Sequence, residues 1–544
     1  MAGLFISANL MQIPHIILKW LPYGLIILVY ALGANLDIME VDAAQYASIS
    51  LEMLKSGEYL LVFDRFEDYL DKPPLLFWLS ALSMKLLGIG SWQYKLPSIL
   101  FSLFGIFSTY KLGKRLYSEE IGRHASWILG GSFAMIMINN DIKTDTILIS
   151  GIVFSIWMLI NYLETKKWKF LVGASIGIAI AMLTKGPIGL MMPALAIGGH
   201  ILLKRQWKAL LDWRWSIMLL LIGIMLIPMC IGLYRQYGVE GLEFYFWTQS
   251  FGRITGENEW RNDASPFFFT HIFLWSFLPW TLLGIAGIIS EFRNLRKSVS
   301  SNNSELYLLC GITLVWAALS FSKFKLPHYI FVVYPLIAIL AAKFIHSLRT
   351  FVYIAWTQLI LSVAACITLS GLLIYSFPNG GWFIPVLLVL ISILAIIYFF
   401  MSFRTDQIMI PSFIISIGIG IGLNLHFYPQ LLPYQANSQV GKWVTENEIP
   451  EGKLFGFSTG GRALDFYAGG VVSWVGDVES TMDKIDTDVV VYANQARYED
   501  LLARESKPKK VIAFENFEVQ KLKISFLNPK TRNQVLKKNY LLFY

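Results

Sequence analysis

Six short polar stretches interrupt an otherwise apolar chain, and their residue types suit acid–base and phosphate chemistry. The first reads Glu40-Val-Asp42-Ala-Ala-Gln-Tyr46. Asp42 and Tyr46 are four apart and share a face if the segment is helical. An acid at a membrane surface can take a proton from an acceptor hydroxyl, though an Asp here can equally cap a helix. The second reads Tyr69-Leu-Asp71-Lys72-Pro73-Pro74-Leu75. Paired prolines suit the first turn of a helix and not its interior. Lys72 then stands at a helix start, and both a helix N-terminus and a lysine attract phosphate; the alternative is a snorkelling side chain. The third, Asn139-Asn-Asp141-Ile-Lys143-Thr-Asp145, clusters acids at a tight turn, where Asp145 is either a site acid or a cap. The fourth, Thr184-Lys185-Gly186-Pro187, is a Gly-Pro turn that does not itself need its lysine. Arg253 lies in a later loop, and Ser322-Lys323-Phe-Lys325-Leu-Pro-His328-Tyr329 joins two apolar runs. Arg is suited to bidentate phosphate contact and Lys supplies a compact charge. Cations against one membrane face can also simply hold anionic headgroups.

The elements that must position these residues are membrane helices. Hydrophobic residues make up 55% of the 544 and charged residues only 15%, too little charge for a soluble surface of this size. With roughly twenty apolar residues needed per crossing, about thirteen spans are expected. They fall near 16–36, 97–117, 124–140, 145–164, 169–184, 187–204, 215–234, 267–289, 306–322, 327–347, 350–376, 382–402 and 408–428. No small-residue cleavage site follows the first run, which reads as a retained span rather than a signal peptide. Pro73 to Leu87 is apolar but short, and is placed as an interfacial helix within a first outer loop, 37–96. With that helix kept outside, the basic loops around 111–123, 166–169, 204–214, 292–297 and Arg404 all face the cytoplasm. The N-terminus is then cytoplasmic. Lys72, Lys143, Lys185, Arg253, Lys323 and Lys325 are left on the opposite side against the rule, and they need another explanation.

From residue 434 onward the composition changes. KLFGFS, VVSWV, DVVVYA and KVIAF read as strands and ARYEDLLARE as a helix. A membrane domain over 1–433 and a small external α/β domain over 434–544 are expected. The formal charge of +8 belongs to cytoplasmic loops and does not indicate nucleic acid. Cys230, Cys310 and Cys366 lie in apolar segments, without the spacing of a disulfide framework or zinc site.

Carboxylates and cations beside a greasy surface suit a lipid-phosphate donor. Cations stabilise the departing phosphate, and a carboxylate activates the attacking group. Walker, dinucleotide-binding and HExxH motifs are absent from the sequence. No nucleotide is needed, and a divalent metal stays open as a cofactor. Asp42, Asp145 and His328 could meet a divalent ion, but their spacing forms no metal motif. A flippase would need polar residues at mid-membrane depth, whereas these charges gather at one interface.

The order of these motifs, with Phe77-Trp78, Lys95-Leu-Pro-Ser98 and Leu464-Asp-Phe-Tyr467, resembles the membrane glycosyltransferases of C-type fold. Within them it is similar to the aminoarabinose lipid A transferases, relatives of the protein O-mannosyltransferases. The resemblance covers about residues 16–440 and runs loosely into the tail. It implies an α-helical polytopic fold of about thirteen spans with a small C-terminal α/β domain. It further implies a bacterial inner-membrane enzyme with a periplasmic active site and tail. The donor would be an undecaprenyl-phosphate-linked sugar, and the acceptor a lipid A-like lipid, another envelope lipid or a protein. By the same comparison Asp42 is the catalytic acid and Asp145 a second one. Lys72 and Arg253 contact donor phosphate, supported by Lys185, Lys323 and Lys325. Glu40, Tyr46, Tyr69, His328 and Tyr329 are candidates for substrate or acceptor contact. The chain departs from the pattern at Ala43, where an acid commonly follows Asp42; at Asp71, often Glu; and in Arg261-Asn-Asp-Ala-Ser-Pro266, which lacks a His. The donor sugar therefore stays open.

Overall fold

In a computed structural model, the described residues are 15–544 apart from 250–251, 253–261, 263, 298–304, 349–351 and 486–487. Helices dominate. After α1 (His15–Ala34), the first loop carries α2 (Asp42–Ser56), a small hairpin of β1 (Phe63–Asp64) and β2 (Glu67–Asp68), and α3 (Leu75–Leu87). The membrane body continues through α4 (Ser91–Leu116), α5 (Glu119–Gly130), α6 (Phe133–Asn140), α7 (Asp145–Thr165), α8 (Trp168–Lys185) and α9 (Ile188–Leu203). A single turn, α10 (Trp207–Leu210), leads into the long α11 (Arg214–Glu243). Then come α12 (Phe268–Ser276), α13 (Thr281–Lys297), α14 (Glu305–Phe321), a 3-10 segment Pro327–Val333, α15 (Tyr334–Ser347), α16 (Val352–Ser376), α17 (Phe383–Met401) and α18 (Thr405–Gly422).

Among the described residues, eight helical segments are long and apolar enough to cross a membrane, and four shorter apolar helices accompany them. This is a multi-pass membrane protein. Each apolar run expected as a span has a helical counterpart, but two are broken. The run 124–140 is split between α5 and α6 at Gly131-Ser132, and 267–289 between α12 and α13 at Phe277 to Trp280. Pro279 lies in the second break; it lacks the N–H that would continue the helix. By length and hydropathy, eight helical segments among the described residues qualify as crossings, and shorter apolar helices account for further expected runs.

The first loop is built on amphipathic helices. One face of α2 buries Ala43, Ala44, Ala47 and Leu51, and Gly57 ends the helix in the left-handed region (φ +72). Pro74 opens α3, a 13-residue helix too short to span. Ile38, Tyr46, Leu76 and Phe77 of this loop share one apolar cluster with Ile142 and Ile147, which flank the acidic turn, and with Phe466 of the C-terminal region. That cluster binds three sequence-distant segments together.

The C-terminal region has α19 (Ala436–Glu446), α20 (Arg462–Tyr467), α21 (Val478–Ile485), α22 (Gln495–Ala503) and a five-stranded mixed sheet in the order β4-β3-β5-β7-β6. The strands are β3 (Leu454–Phe457), β4 (Trp474–Val475), β5 (Val490–Asn494), β6 (Lys510–Asn516) and β7 (Lys537–Phe543). The four strands and the helix expected from the sequence are present. β7 was not expected; it runs antiparallel between β5 and β6 and closes the sheet. Ion pairs fasten this region to the first loop. Arg65 pairs with the buried Asp465 and stacks over Trp474 (3.8 Å). Arg462 reaches Asp64 at 2.9 Å, and Lys442 pairs with Asp37.

Candidate active site

A cavity of about 800 Å³, including its open mouth, collects residues from four of the polar stretches: Lys72, Asp145, Lys185, Ser322 and Tyr329, with Gln249 beside them. Its walls are apolar, formed by Leu148, Ile188, Met191, Leu319 and Val332 among others. Two cations and one carboxylate thus face a greasy chamber.

Asp145 sits in the first turn of α7 with its side chain only 1% exposed. Its Oδ1 accepts a hydrogen bond from Lys185 Nζ at 2.6 Å, and its Oδ2 lies 3.6 Å from His328 Nε2. Lys185 ends α8, and its ammonium also lies 4.1 Å from the centre of the Tyr329 ring. Gly186 makes the turn possible: its φ of +85 would strain any residue with a Cβ. The 3-10 segment supplies Tyr329 to the cavity lining and His328 beside it, with ring centres 5.1 Å apart. His328 is within electrostatic reach of Lys185, Lys143 and Lys72 together.

Lys72 is paired with Asp71, whose carbonyl accepts from Gln249 Nε2. Tyr46 and Tyr69 bracket Phe77, with ring centres 5.8 and 6.1 Å away. Burial pushes the Tyr46 phenol well above its usual range, and Tyr69, Asp42, Asp71 and Asp145 around it add to the shift.

Asp42 opens α2 and accepts a hydrogen bond from Lys143 Nζ at 3.1 Å. The same ammonium lies 3.2 Å from Asp141. Burial alone would lower the Lys143 pKa, but Asp141 and Asp42 outweigh it and hold the pKa above its ordinary value. Burial pushes the Asp141 carboxyl up, with Lys143 opposing. Asp42 and Asp145 therefore head the two helices α2 and α7, each on its own lysine.

Three candidate residues stand elsewhere. Glu40 is turned to the C-terminal region, where its Oε1 accepts from Asn437 Nδ2 (2.9 Å) and Ala463 N (3.2 Å). Lys323 and Lys325 are not among the cavity-lining residues, whereas Ser322 and Phe324 are, because alternate residues of the connecting segment face opposite ways. Lys325 Nζ instead donates to Ala264 O at 2.8 Å. Arg253 lies outside the described residues. Two residues were not picked out from the sequence. Lys143 was visible only as one more cation on the outer side, and Gln249 carried no signal. Among the described residues no group of three His, Cys, Asp or Glu side chains could hold a metal ion, so Asp42, Asp145 and His328 do not form such a group.

The chain is similar to several known proteins. Residues 71–231 match the family described as dolichyl-phosphate-mannose-protein mannosyltransferase. An uncharacterised protein of Aquifex aeolicus is 27% identical over 351 residues, 63% of this chain and 67% of its own. The undecaprenyl phosphate-alpha-4-amino-4-deoxy-L-arabinose arabinosyl transferase 1 of Proteus mirabilis is 26% identical over 338 residues, 61% of this chain and 60% of its own. That of Pseudomonas fluorescens is 26% identical over 296 residues, 53% and 52% of the two chains. The matches thus span only half to three fifths of the curated transferases' length. The crystal structure of ArnT from Cupriavidus metallidurans bound to undecaprenyl phosphate superposes with a TM-score of 0.72 at 18% identity, covering 89% of this chain and 94% of that one. The fold expected from the motifs is therefore the fold observed.

Proposed function

We propose that this protein moves a sugar from an undecaprenyl-phosphate carrier to a lipid A-like or other envelope acceptor, at the outer face of the bacterial inner membrane. The observation that carries this reading is the cavity itself, with Lys72, Lys185 and Asp145 at its polar end and apolar walls beyond. A phosphate with a polyprenyl tail has that same division. The names of the similar transferases supply the carrier.

Helix connectivity supports the outer face. Asp145 begins α7, Lys185 ends α8 and Ile188 begins α9, all at the cavity. The other ends of these three helices carry Lys166, Lys167, Lys169, Lys204 and Arg205. Basic loops mark the cytoplasmic side, so the cavity opens on the opposite one.

In the reaction we propose, an acceptor oxygen attacks the anomeric carbon as the bond to the phosphate oxygen breaks. The electron pair leaves on the phosphate, and a single displacement inverts the anomeric centre. Lys72 and Lys185 hold the charge that develops on the leaving phosphate, with Arg253 assigned to the same task. Asp42 takes the proton of a hydroxyl acceptor; with a phosphate acceptor there is little proton to take, and Asp42 positions it instead. Lys143 holds Asp42 in place through its hydrogen bond.

Purified full-length protein incubated with labelled undecaprenyl-phosphate sugars and lipid A or protein acceptors tests this. Label on the acceptor, lost in Asp42→Asn, is the expected result. Movement of labelled donor across a proteoliposome without transfer would replace the enzyme by a flippase. Full turnover in a well-expressed Asp42→Asn variant would remove Asp42 from its role.

A further inference from the structure

A second polar pocket lies at the far end of α9 from the cavity. At roughly 1.5 Å of rise per residue, the helix puts it about 24 Å away. It is lined by Leu163, Lys166, Arg205, Gln206, Trp207 and Lys208, with Ala209, and measures about 1010 Å³ with its open mouth. Three of its lining residues are cations and none is an acid. The nearby Asp212 is already engaged by Lys166 Nζ (3.0 Å), the Tyr162 hydroxyl (2.8 Å) and Arg214 N (3.2 Å).

The backbone brings these charges together at a conformational cost. Lys166 and Arg205, which end α7 and follow α9, both take left-handed backbone (φ +55 and +53), where a side chain is disfavoured. An apolar fringe surrounds the pocket. Trp207, Trp213, Leu203 and Leu211 are exposed, at 54%, 64%, 66% and 81%. They flank a turn joining two apolar helices, so they sit at the level where chain meets headgroup and where exposed tryptophans concentrate. Basic pockets between membrane helices on the cytoplasmic side suit anionic headgroups.

We propose that this pocket binds the headgroup of an anionic phospholipid, its phosphate on Arg205, Lys208 and Lys166 and its acyl chains along Leu203 and Leu211. Arg205 supplies the planar, two-pronged contact that phosphate favours. The site is separate from the proposed donor cavity and does not depend on the sugar-transfer reading.

Native mass spectrometry of the full-length protein, titrated with phosphatidylglycerol and with phosphatidylcholine, tests it. Wild-type protein should retain phosphatidylglycerol preferentially. Arg205→Ala with Lys208→Ala should weaken that binding ~30-fold, while a charge-matched Lys507→Ala with Lys509→Ala control in the C-terminal region should not. Inorganic phosphate at equal concentration should leave the adduct in place. Equal retention of both lipids, undiminished phosphatidylglycerol in the double variant, an equal loss in the control, or full displacement by inorganic phosphate would each overturn the proposal. Should the double variant fold poorly, the charge-conserving Arg205→Lys with Lys208→Arg variant is expected to keep the lipid preference, and its loss there would count against the site.

Discussion

Lys143 gives the sharpest test of the proposed mechanism. Its ammonium lies 3.1 Å from Asp42 and 3.2 Å from Asp141, with its own side chain 14% exposed. If Asp42 acts on the acceptor, Lys143→Met removes the group that orients it. A hydrogen bond between charged groups contributes roughly 1.5–3 kcal/mol. Asp42 is 37% exposed, so water takes over part of that interaction and the lower end applies. About 1.5 kcal/mol corresponds to about tenfold in turnover. The loss should fall on kcat with the donor KM little changed, because Lys143 is not among the residues lining the donor cavity. Initial rates of label transfer at saturating donor measure it. Asp42→Asn supplies the decisive arm: in that background Lys143→Met should cost almost nothing, since its effect runs through Asp42. Lys143→Arg should keep most activity, because it can still pair with both carboxylates. A fully active Lys143→Met, or a tenfold loss that persists undiminished in Asp42→Asn, would refute the reasoning.

Three further outcomes follow from the same geometry. Asp145→Asn breaks the buried pair with Lys185; at about 3 kcal/mol for such a pair it should lower turnover ~100-fold, with Lys185→Ala adding little in that background by the same assay. Lys72→Ala should raise the donor KM ~10- to 100-fold, the equivalent of one charge-assisted contact, and Lys72→Arg should recover part of it. Glu40 carries a pH signature: burial raises its carboxyl above the usual range, with Asn437, Ala463 and Arg462 opposing. A raised acid pKa means the folded protein binds the proton more tightly than the unfolded chain. This stabilising term is therefore present at low pH and lost as pH rises through the folded pKa. Glu40→Gln should remove that pH dependence from thermal unfolding curves while leaving turnover unchanged.

The residues legible from the sequence were those whose charge had no reason to be there. Lys72, Asp145 and Lys185 stand out in a chain of long apolar runs, and the fold brings all three to one cavity. The partners were hidden because partnership is a tertiary fact. Lys143 among acids at a turn reads as solvated until Ile142 and Ile147 dock on the first loop and carry it to Asp42. Glu40, two residues from Asp42, reads as a substrate contact until a segment some four hundred residues later claims its carboxylate. The breaks in the long runs were concealed for a similar reason: apolar residues line both halves, and only the chain's path shows where a crossing stops. The pairings also bear on how the site works. Lys72 rests on Asp71, Lys185 on Asp145 and Lys143 on Asp42 and Asp141. A buried ammonium without a partner is costly, so at the cavity Asp71 and Asp145 offset the charge of Lys72 and Lys185 before a phosphate arrives. The phosphate then joins a pair rather than meeting a bare cation. Donor affinity should accordingly depend on Asp71 and Asp145 as well as on the lysines. An acid deletion that weakened donor binding, where simple repulsion would predict tighter binding, would be the mark of that arrangement.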